Sequence, residues 1–365
     1  MMIVEFTPDS FFVEEITSDG ITLELGKTYS FEKPAPERDF FTHFVLQKRE
    51  WNTVQALGAI ARNLHVKPSR FDFAGTKDRQ ATTTQLCSVF ALPPERLLQA
   101  RVKDVQINGA WKADAKVRLG NLLGNRFTIK TDKPVNAIPS FPNYFGEQRF
   151  GSGRKNTAKI GKLILQGDYE NAVRSYLCDS EGEENIDAVR ARETLLGEND
   201  FAAAAAYFPH HLKYELSMLR SLSKEPTNYI AAIRALPRSL QLMFVHAVQS
   251  DLFNKRIDLH LPPTSTCGKD AHDFPSVAVE GADFTLGNII GYSNAISEDE
   301  RILLESEGLA QDSFKLKAMP ELSAKGTLRL LEAPIMNFEN ADGGFRFSLP
   351  KGCYATVAVK YILNE

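Results

Sequence analysis

Phe73-Ala74-Gly75-Thr76-Lys77-Asp78-Arg79-Gln80-Ala81-Thr82-Thr83-Thr84-Gln85 sets one carboxylate between two cations on a glycine-containing connection. Ahead of it, Arg70-Phe71-Asp72-Phe73 alternates like a strand, and residues 85–90 resume strand-like character. Gly75 breaks the alternation, so residues 75–82 are expected to form an ordered connection at a sheet end, where a rigid scaffold presents reactive groups. Upstream, residues 52–64 read as an amphipathic helix with Asn52 or Thr53 as its cap. Val54, Leu57, Ile60, Ala61 and Leu64 recur at helical spacing there, and Pro68 ends it. A carboxylate flanked by cations stays ionised even where a substrate excludes water, and an ionised, oriented Asp acts as nucleophile or base. Taken alone, the triplet reads as a surface Lys-Asp-Arg turn with weak ion pairing.

Further out, residues 126–130 and 345–349 alternate as strands, and the tail from Tyr354 suits either a helix or a strand. Between Asn156 and about Gln311 the texture turns helical, at 160–165, 169–177, 202–206 and 239–253. At 365 residues, two domains are expected. Sheet, helical middle and sheet-like tail suggest a second domain inserted into the first, with two domains in series as the alternative.

The bulk properties exclude several classes. Hydrophobic residues make up 43% and charged residues 24%, as in soluble globular proteins. Cys87, Cys178, Cys267 and Cys353 are scattered, with no CxxC pair and no nearby His at ligand spacing, so a reduced, cytoplasmic protein without a metal site is expected. The start lacks the features of a signal peptide, and no window reaches the ~20 apolar residues that span a bilayer. No GxxxxGK[ST] loop occurs; Gly151-Ser152-Gly153 begins like a dinucleotide fingerprint, but Asn stands at position 156. The net charge of -3 conceals an asymmetry: residues 101–162 carry thirteen Lys and Arg against four Asp and Glu, while acid gathers at 179–184 and 298–307. Such a basic run suits a nucleic acid, although scattered cations also simply solvate a surface.

Two more stretches carry chemistry. Pro142-Asn143-Tyr144-Phe145-Gly146-Glu147-Gln148-Arg149-Phe150-Gly151 interleaves aromatic, amide and basic side chains, a mixture suited to stacking, hydrogen bonding and phosphate contact, or to a packed aromatic turn. In Gly124-Asn125-Arg126-Phe127, Asn125 is read as opening a strand whose Phe127 points into the core or under a base.

Together these stretches resemble the TruD family of pseudouridine synthases. The resemblance starts at Pro8-Asp9-Ser10-Phe11-Phe12-Val13-Glu14-Glu15-Ile16, similar to the family's PEDFxVxE opening, with Ser10 where an acidic residue is common. It runs through Trp51-Asn52-Thr53, the AGTKDR loop, Gly124 to Phe127 and PNYFGEQRFG, and closes with Leu349-Pro350-Lys351-Gly352-Cys353-Tyr354-Ala355-Thr356. Lys77 stands where other pseudouridine synthase families carry Arg, as is usual for the TruD branch.

The resemblance implies an α+β catalytic domain with a mixed, largely antiparallel sheet, built from residues 1–139 and 332–365 and interrupted by an inserted TRUD domain at 140–331. It implies conversion of uridine to pseudouridine in tRNA, uridine 13 of the D arm being the usual target, with no cofactor, no membrane and no protein partner. The nucleophile's position falls on Asp78. Substrate-contacting positions fall on Phe11, Asn125 and Tyr354, and the aromatic that stacks on the flipped base on Phe127. Glu15, Lys77, Arg79, Gln148 and Arg149 are implied as supporting residues, and the basic run as the lining of an RNA-binding cleft. Competing readings are the same chemistry on other tRNA or mRNA uridines, a catalytically silent RNA-binding protein, and a glycosidase pairing Asp72 with Asp78.

Overall fold

The helix-strand-loop-strand pattern around AGTKDR resolves as follows in the computed structural model, which describes residues 6–31, 36–151, 153–260, 276–279, 282–341 and 343–364. The start of the chain, Ser152 and Cys267 lie outside these residues. The chain divides into two compact units, one of residues 1–141 and 333–365, the other of residues 142–332. The second is thus inserted into the first.

The first unit is built on an eight-stranded sheet. Its strands include β1 (Phe11–Thr17), β2 (Phe41–Arg49), β3 (Phe71–Phe73), β4 (Thr82–Phe90), β5 (Val105–Ala113) and β6 (Leu122–Lys130). The hairpin Met336–Ala341 and Gly344–Pro350 completes it. The order runs from that hairpin through β6, β1, β4 and β2 to β5, and β3 pairs with β4. Only β1 and β4 run parallel; the other pairs are antiparallel. The sheet is therefore mixed and largely antiparallel, as expected.

The helix α1 (Thr53–Asn63) starts where the cap was expected: the Asn52 side chain accepts from the Val54 amide. Its apolar stripe differs at one position. Leu57, Ile60 and Ala61 are buried against Phe44, Leu46, Cys87 and Val89, whereas Val54 is exposed, because it follows the cap on the outer side of the first turn. Strand β4 begins at Thr82 rather than Gln85, and β3 is preceded by a short 3-10 turn, Pro68–Arg70. Polar Thr82, Thr83 and Thr84 pair with β1 and β2 because β-branched side chains fit a pleated surface. Asn125 sits inside β6 instead of opening it. The tail resolves as a helix, Ala355–Ile362.

Gly124 of β6 has a steric role. A Cβ there would lie 2.1 Å from the Leu349 carbonyl oxygen of the neighbouring strand. Gly124→Ala is expected to destabilise the first unit by about 1–3 kcal/mol through forced strand separation, measured by denaturant unfolding; a loss below about 0.3 kcal/mol would contradict the close approach.

The second unit is mostly helical and centres on the helix Arg238–His260, with Gly161 of the helix Thr157–Leu165 letting that helix approach the Phe244 carbonyl oxygen. Two strands, Ser276–Val279 and Ala282–Ile289, were not legible in the helical texture of the middle segment; a third, Thr327–Leu330, pairs with the latter and lies beyond that segment, in the sheet-like tail. No helix among the described residues is long and apolar enough to cross a membrane.

Candidate active site

Register puts one set of side chains on one face of the first unit's sheet. Lys48 lies opposite Thr83, Thr83 beside Val13, Val13 beside Phe127, and Phe127 beside Phe347. In the next row, Glu15 faces Asn125 and Asn125 faces Leu349. The loop from Gly75 to Ala81, between β3 and β4, crosses this face and carries Asp78.

Polar groups buried beneath the loop hold it from below. The Lys77 ammonium meets the Glu15 carboxylate at 2.6 Å, both side chains being almost completely buried. The other Glu15 oxygen accepts from the Leu86 amide at 3.0 Å. Thr53 at the start of α1 accepts from the Lys77 amide at 2.9 Å and donates to Gln85 Oε1 at 2.8 Å. Gln85 in turn donates to the Gly75 carbonyl at 2.9 Å. Lys48, fully buried, donates from Nζ to the Asp78 carbonyl at 2.8 Å. A buried polar network with its members satisfied fixes one conformation, and here it fixes the backbone on both sides of Asp78.

The Asp78 side chain stays exposed, and its carboxylate makes no hydrogen bond among the described residues. Lys77 thus makes its ion pair with Glu15 and acts on Asp78 only through its charge, and Arg79 points to solvent. The flanking cations do not hold the Asp78 carboxyl at or below its ordinary value. The surrounding protein displaces water and raises the Asp78 carboxyl above its ordinary value, and the pull of Lys48 and Lys77 only partly offsets this. Burial lowers Lys48 to about 8, with Asp78 opposing and Lys77 adding to the drop.

Among the described residues, two buried oxygens on this face lack hydrogen-bond partners: Asn125 Oδ1 and Thr83 Oγ1. An orphaned buried polar atom is costly and calls for a ligand or a catalytic role. Phe127 is 5% exposed, with its ring stacked between Phe11 at 6.1 Å and Phe347 at 5.5 Å. Phe11 is buried as well. Tyr354, half-buried, caps the terminal helix four residues beyond Pro350, which pairs with Gly124. The structure therefore brings Phe11, Glu15, Lys77, Asp78, Asn125 and Phe127 to one face of one unit. Asp72 is engaged by Lys116 at 3.1 Å and does not contribute to the field at Asp78.

Gln148 and Arg149 belong to the other unit, on the 3-10 turn Glu147–Phe150. Their motif behaves as a packed aromatic turn. Tyr144 donates to Asp258 at 2.7 Å, the Phe145 amide to Asn254 at 2.7 Å, and Arg149 to Ser250 at 3.1 Å, all on the helix Arg238–His260. Arg329 lies 3.9 Å over the Phe145 ring and donates to Asn143. Much of the basic run is likewise paired: Arg126 with Glu14, Lys155 with Glu147, Lys159 with Asp179 and Lys162 with Glu307.

Sequence reading missed Lys48, Thr53 as more than a cap, and Gln85. The available signal was period: Lys48 follows Phe44 and Leu46 at strand spacing, a charge where a core residue belongs.

The two perturbed groups predict a bell-shaped activity profile. Activity that uses ionised Asp78 falls on the acid side at a higher pH than an ordinary aspartate would set, and falls again near pH 8 as Lys48 loses its charge. The sign for stability is opposite on the alkaline side. Because the folded pKa of Lys48 lies below the unfolded value of 10.5, the unfolded state binds more protons between these values, so this group's contribution to stability rises as pH climbs from 8 to 10.5. Rates measured from pH 5 to 10, with Lys48→Met lacking the alkaline limb, check this; an unchanged limb in the variant assigns it elsewhere.

The chain is similar to proteins of one family over nearly its whole length. The family model for tRNA pseudouridine synthase D (TruD) matches residues 3–266 and 266–362. A curated protein of Methanococcus aeolicus, "Probable tRNA pseudouridine synthase D", is 35% identical, covering 98% of this chain and 94% of its own length. A protein of the same name from Methanopyrus kandleri is 35% identical, covering 89% and 86%. Among solved structures, a Methanosarcina mazei protein assigned as tRNA pseudouridine synthase D (TruD) matches with a TM-score of 0.70 at 27% identity, over 99% of this chain and 93% of that one.

Proposed function

Since the chain belongs to the tRNA pseudouridine synthase D family, whose members are isomerases acting on tRNA, we propose that Asp78 is the nucleophile with which it converts uridine to pseudouridine, at position 13 of the D arm. The observation that carries this reading is that, among the described residues, Asn125 Oδ1 has no partner; it lies on the same sheet face as Glu15 and Phe127, beneath a loop that leaves the Asp78 carboxylate without a hydrogen bond among those residues. An acceptor at that place suits the N3–H of a flipped uracil, and the Phe11–Phe127–Phe347 stack supplies the apolar side of its pocket. Tyr354 closes the same end of the sheet.

The reaction breaks the N1–C1′ bond, forms C5–C1′, releases the C5 proton and returns a proton to N1. Oxidation level is conserved, so no external oxidant or reductant enters. Asp78 acts by attacking C1′, by attacking the ring or by taking a ribose proton; each begins from the ionised carboxylate, which Lys48 and Lys77 favour against the surrounding protein. Glu15 and Lys77 position the loop, Arg79 is exposed to meet phosphate, and Gln148 and Arg149 support the fold of their turn. We take the helical unit as the family's inserted domain, at 140–331, and the cytoplasm as the site of action.

The test is an unmodified tRNA transcript incubated with the purified protein and mapped by carbodiimide-dependent primer stops. A stop at position 13 that requires Asp78 is expected. A stop elsewhere moves the target, and none at any uridine across a pool of tRNAs favours an RNA-binding protein on the same scaffold.

A further inference from the structure

The connection from β5 to β6 contains Lys116-Val117-Arg118-Leu119-Gly120-Asn121. Val117, 1% exposed, plugs it into a small apolar cluster with Ala74 and Leu122, and its amide donates to Ser88 Oγ at 2.9 Å. The Gly120 amide donates to the Ala74 carbonyl at 2.7 Å, and the Asn121 amide closes the turn on Arg118 at 3.0 Å. Lys351 Nζ donates to the Gly120 carbonyl at 3.0 Å. Gly120 makes the turn possible at φ +82. The outcome is a braced turn, tied to the residue that begins the AGTKDR loop, whose tip exposes Leu119 at 81%. Single exposed leucines are common; one held at the tip of a turn anchored on three sides and flanked by cations is a presented group. The Arg118 guanidinium is exposed and makes no ion pair among the described residues.

We propose that Leu119 is a wedge that enters the base stack of the substrate RNA beside the target uridine, while Arg118 engages the adjacent phosphate. The proposal rests on the pseudouridine synthase reading. A uridine stacked in folded RNA must be extruded before a carboxylate can reach its ribose or ring, and apolar side chains inserted at a base step stabilise the unstacked state. The turn is tied to the loop that carries Asp78: its Gly120 amide is bonded to Ala74, four residues before Asp78.

Two RNAs test it: the folded tRNA, and the same tRNA made abasic at the target's stacking neighbours so that the uridine is already unstacked. Leu119→Ser is expected to lower kcat/KM on the folded tRNA roughly ten- to hundred-fold and to leave the abasic substrate within about twofold of the parent. Leu98→Ser, at an exposed leucine elsewhere on the same unit, is expected to change neither. In the Asp78→Asn background, 2-aminopurine beside the target brightens on binding, and Leu119→Ser suppresses that rise. Equal losses on both RNAs, or parental turnover of the folded tRNA, overturn the wedge. A parent protein that converts neither RNA sinks the enzymatic reading itself, and the wedge with it.

Discussion

Asp78→Asn is expected to lower pseudouridine formation by at least about 10³-fold while leaving tRNA affinity within about threefold of the parent. The substitution keeps the shape and exposure of the side chain. It removes only the charge and nucleophilicity of an oxygen that makes no hydrogen bond among the described residues, so little structure depends on it. The loop is held through its backbone, by Lys48 on the Asp78 carbonyl and Gln85 on the Gly75 carbonyl, and these bonds survive. Single-turnover rates together with filter-binding affinities check the split. A variant that loses affinity and rate in the same proportion would assign Asp78 to binding.

Glu15→Gln carries the largest expected stability effect. Glu15 is fully buried and pairs with a Lys77 that is 7% exposed. Neutralising one partner leaves an ammonium without its counter-charge, which costs about 3–5 kcal/mol in buried pairs. Both tryptophans, Trp51 and Trp111, belong to the unit that carries the pair, so denaturant unfolding followed by their fluorescence reports on that unit alone. Activity is expected to fall as well, because Lys77 immediately precedes Asp78. The double variant Glu15→Gln/Lys77→Met is expected to regain part of the stability without the activity. A single variant within about 1 kcal/mol of the parent would show that the pair is solvated in solution.

Legibility followed the range of the forces involved. The cap at Asn52, the break at Gly75 and the strands around Arg126 to Lys130 and Phe345 to Leu349 are local, set by turn chemistry and period, and were readable. The partner of Lys77 was not: Glu15 is sixty-two residues away, and only the pairing of β1 with β4 brings it under the loop. For the same reason the two flanking cations looked like the guardians of Asp78's charge, when Arg79 faces solvent and the cations that favour the charge are Lys77, itself paired with Glu15, and Lys48, distant in sequence. Lys48 was hidden within a strand that was not itself recognised. The aromatic-rich PNYFGEQRFG stretch was open to two readings because packing and stacking use the same side chains; Asp258, Asn254 and Ser250, each more than a hundred residues on, decide for packing.

Tritium release from a tRNA labelled at uridine C5 tests the central claim most directly, since joining C5 to C1′ expels the C5 hydrogen. The purified protein, without added cofactor, is expected to release tritium in proportion to the pseudouridine formed, and Asp78→Asn to release none above background. Release that persists undiminished in Asp78→Asn would contradict the assignment of the nucleophile, and no release by the parent from any labelled tRNA would contradict the isomerisation itself.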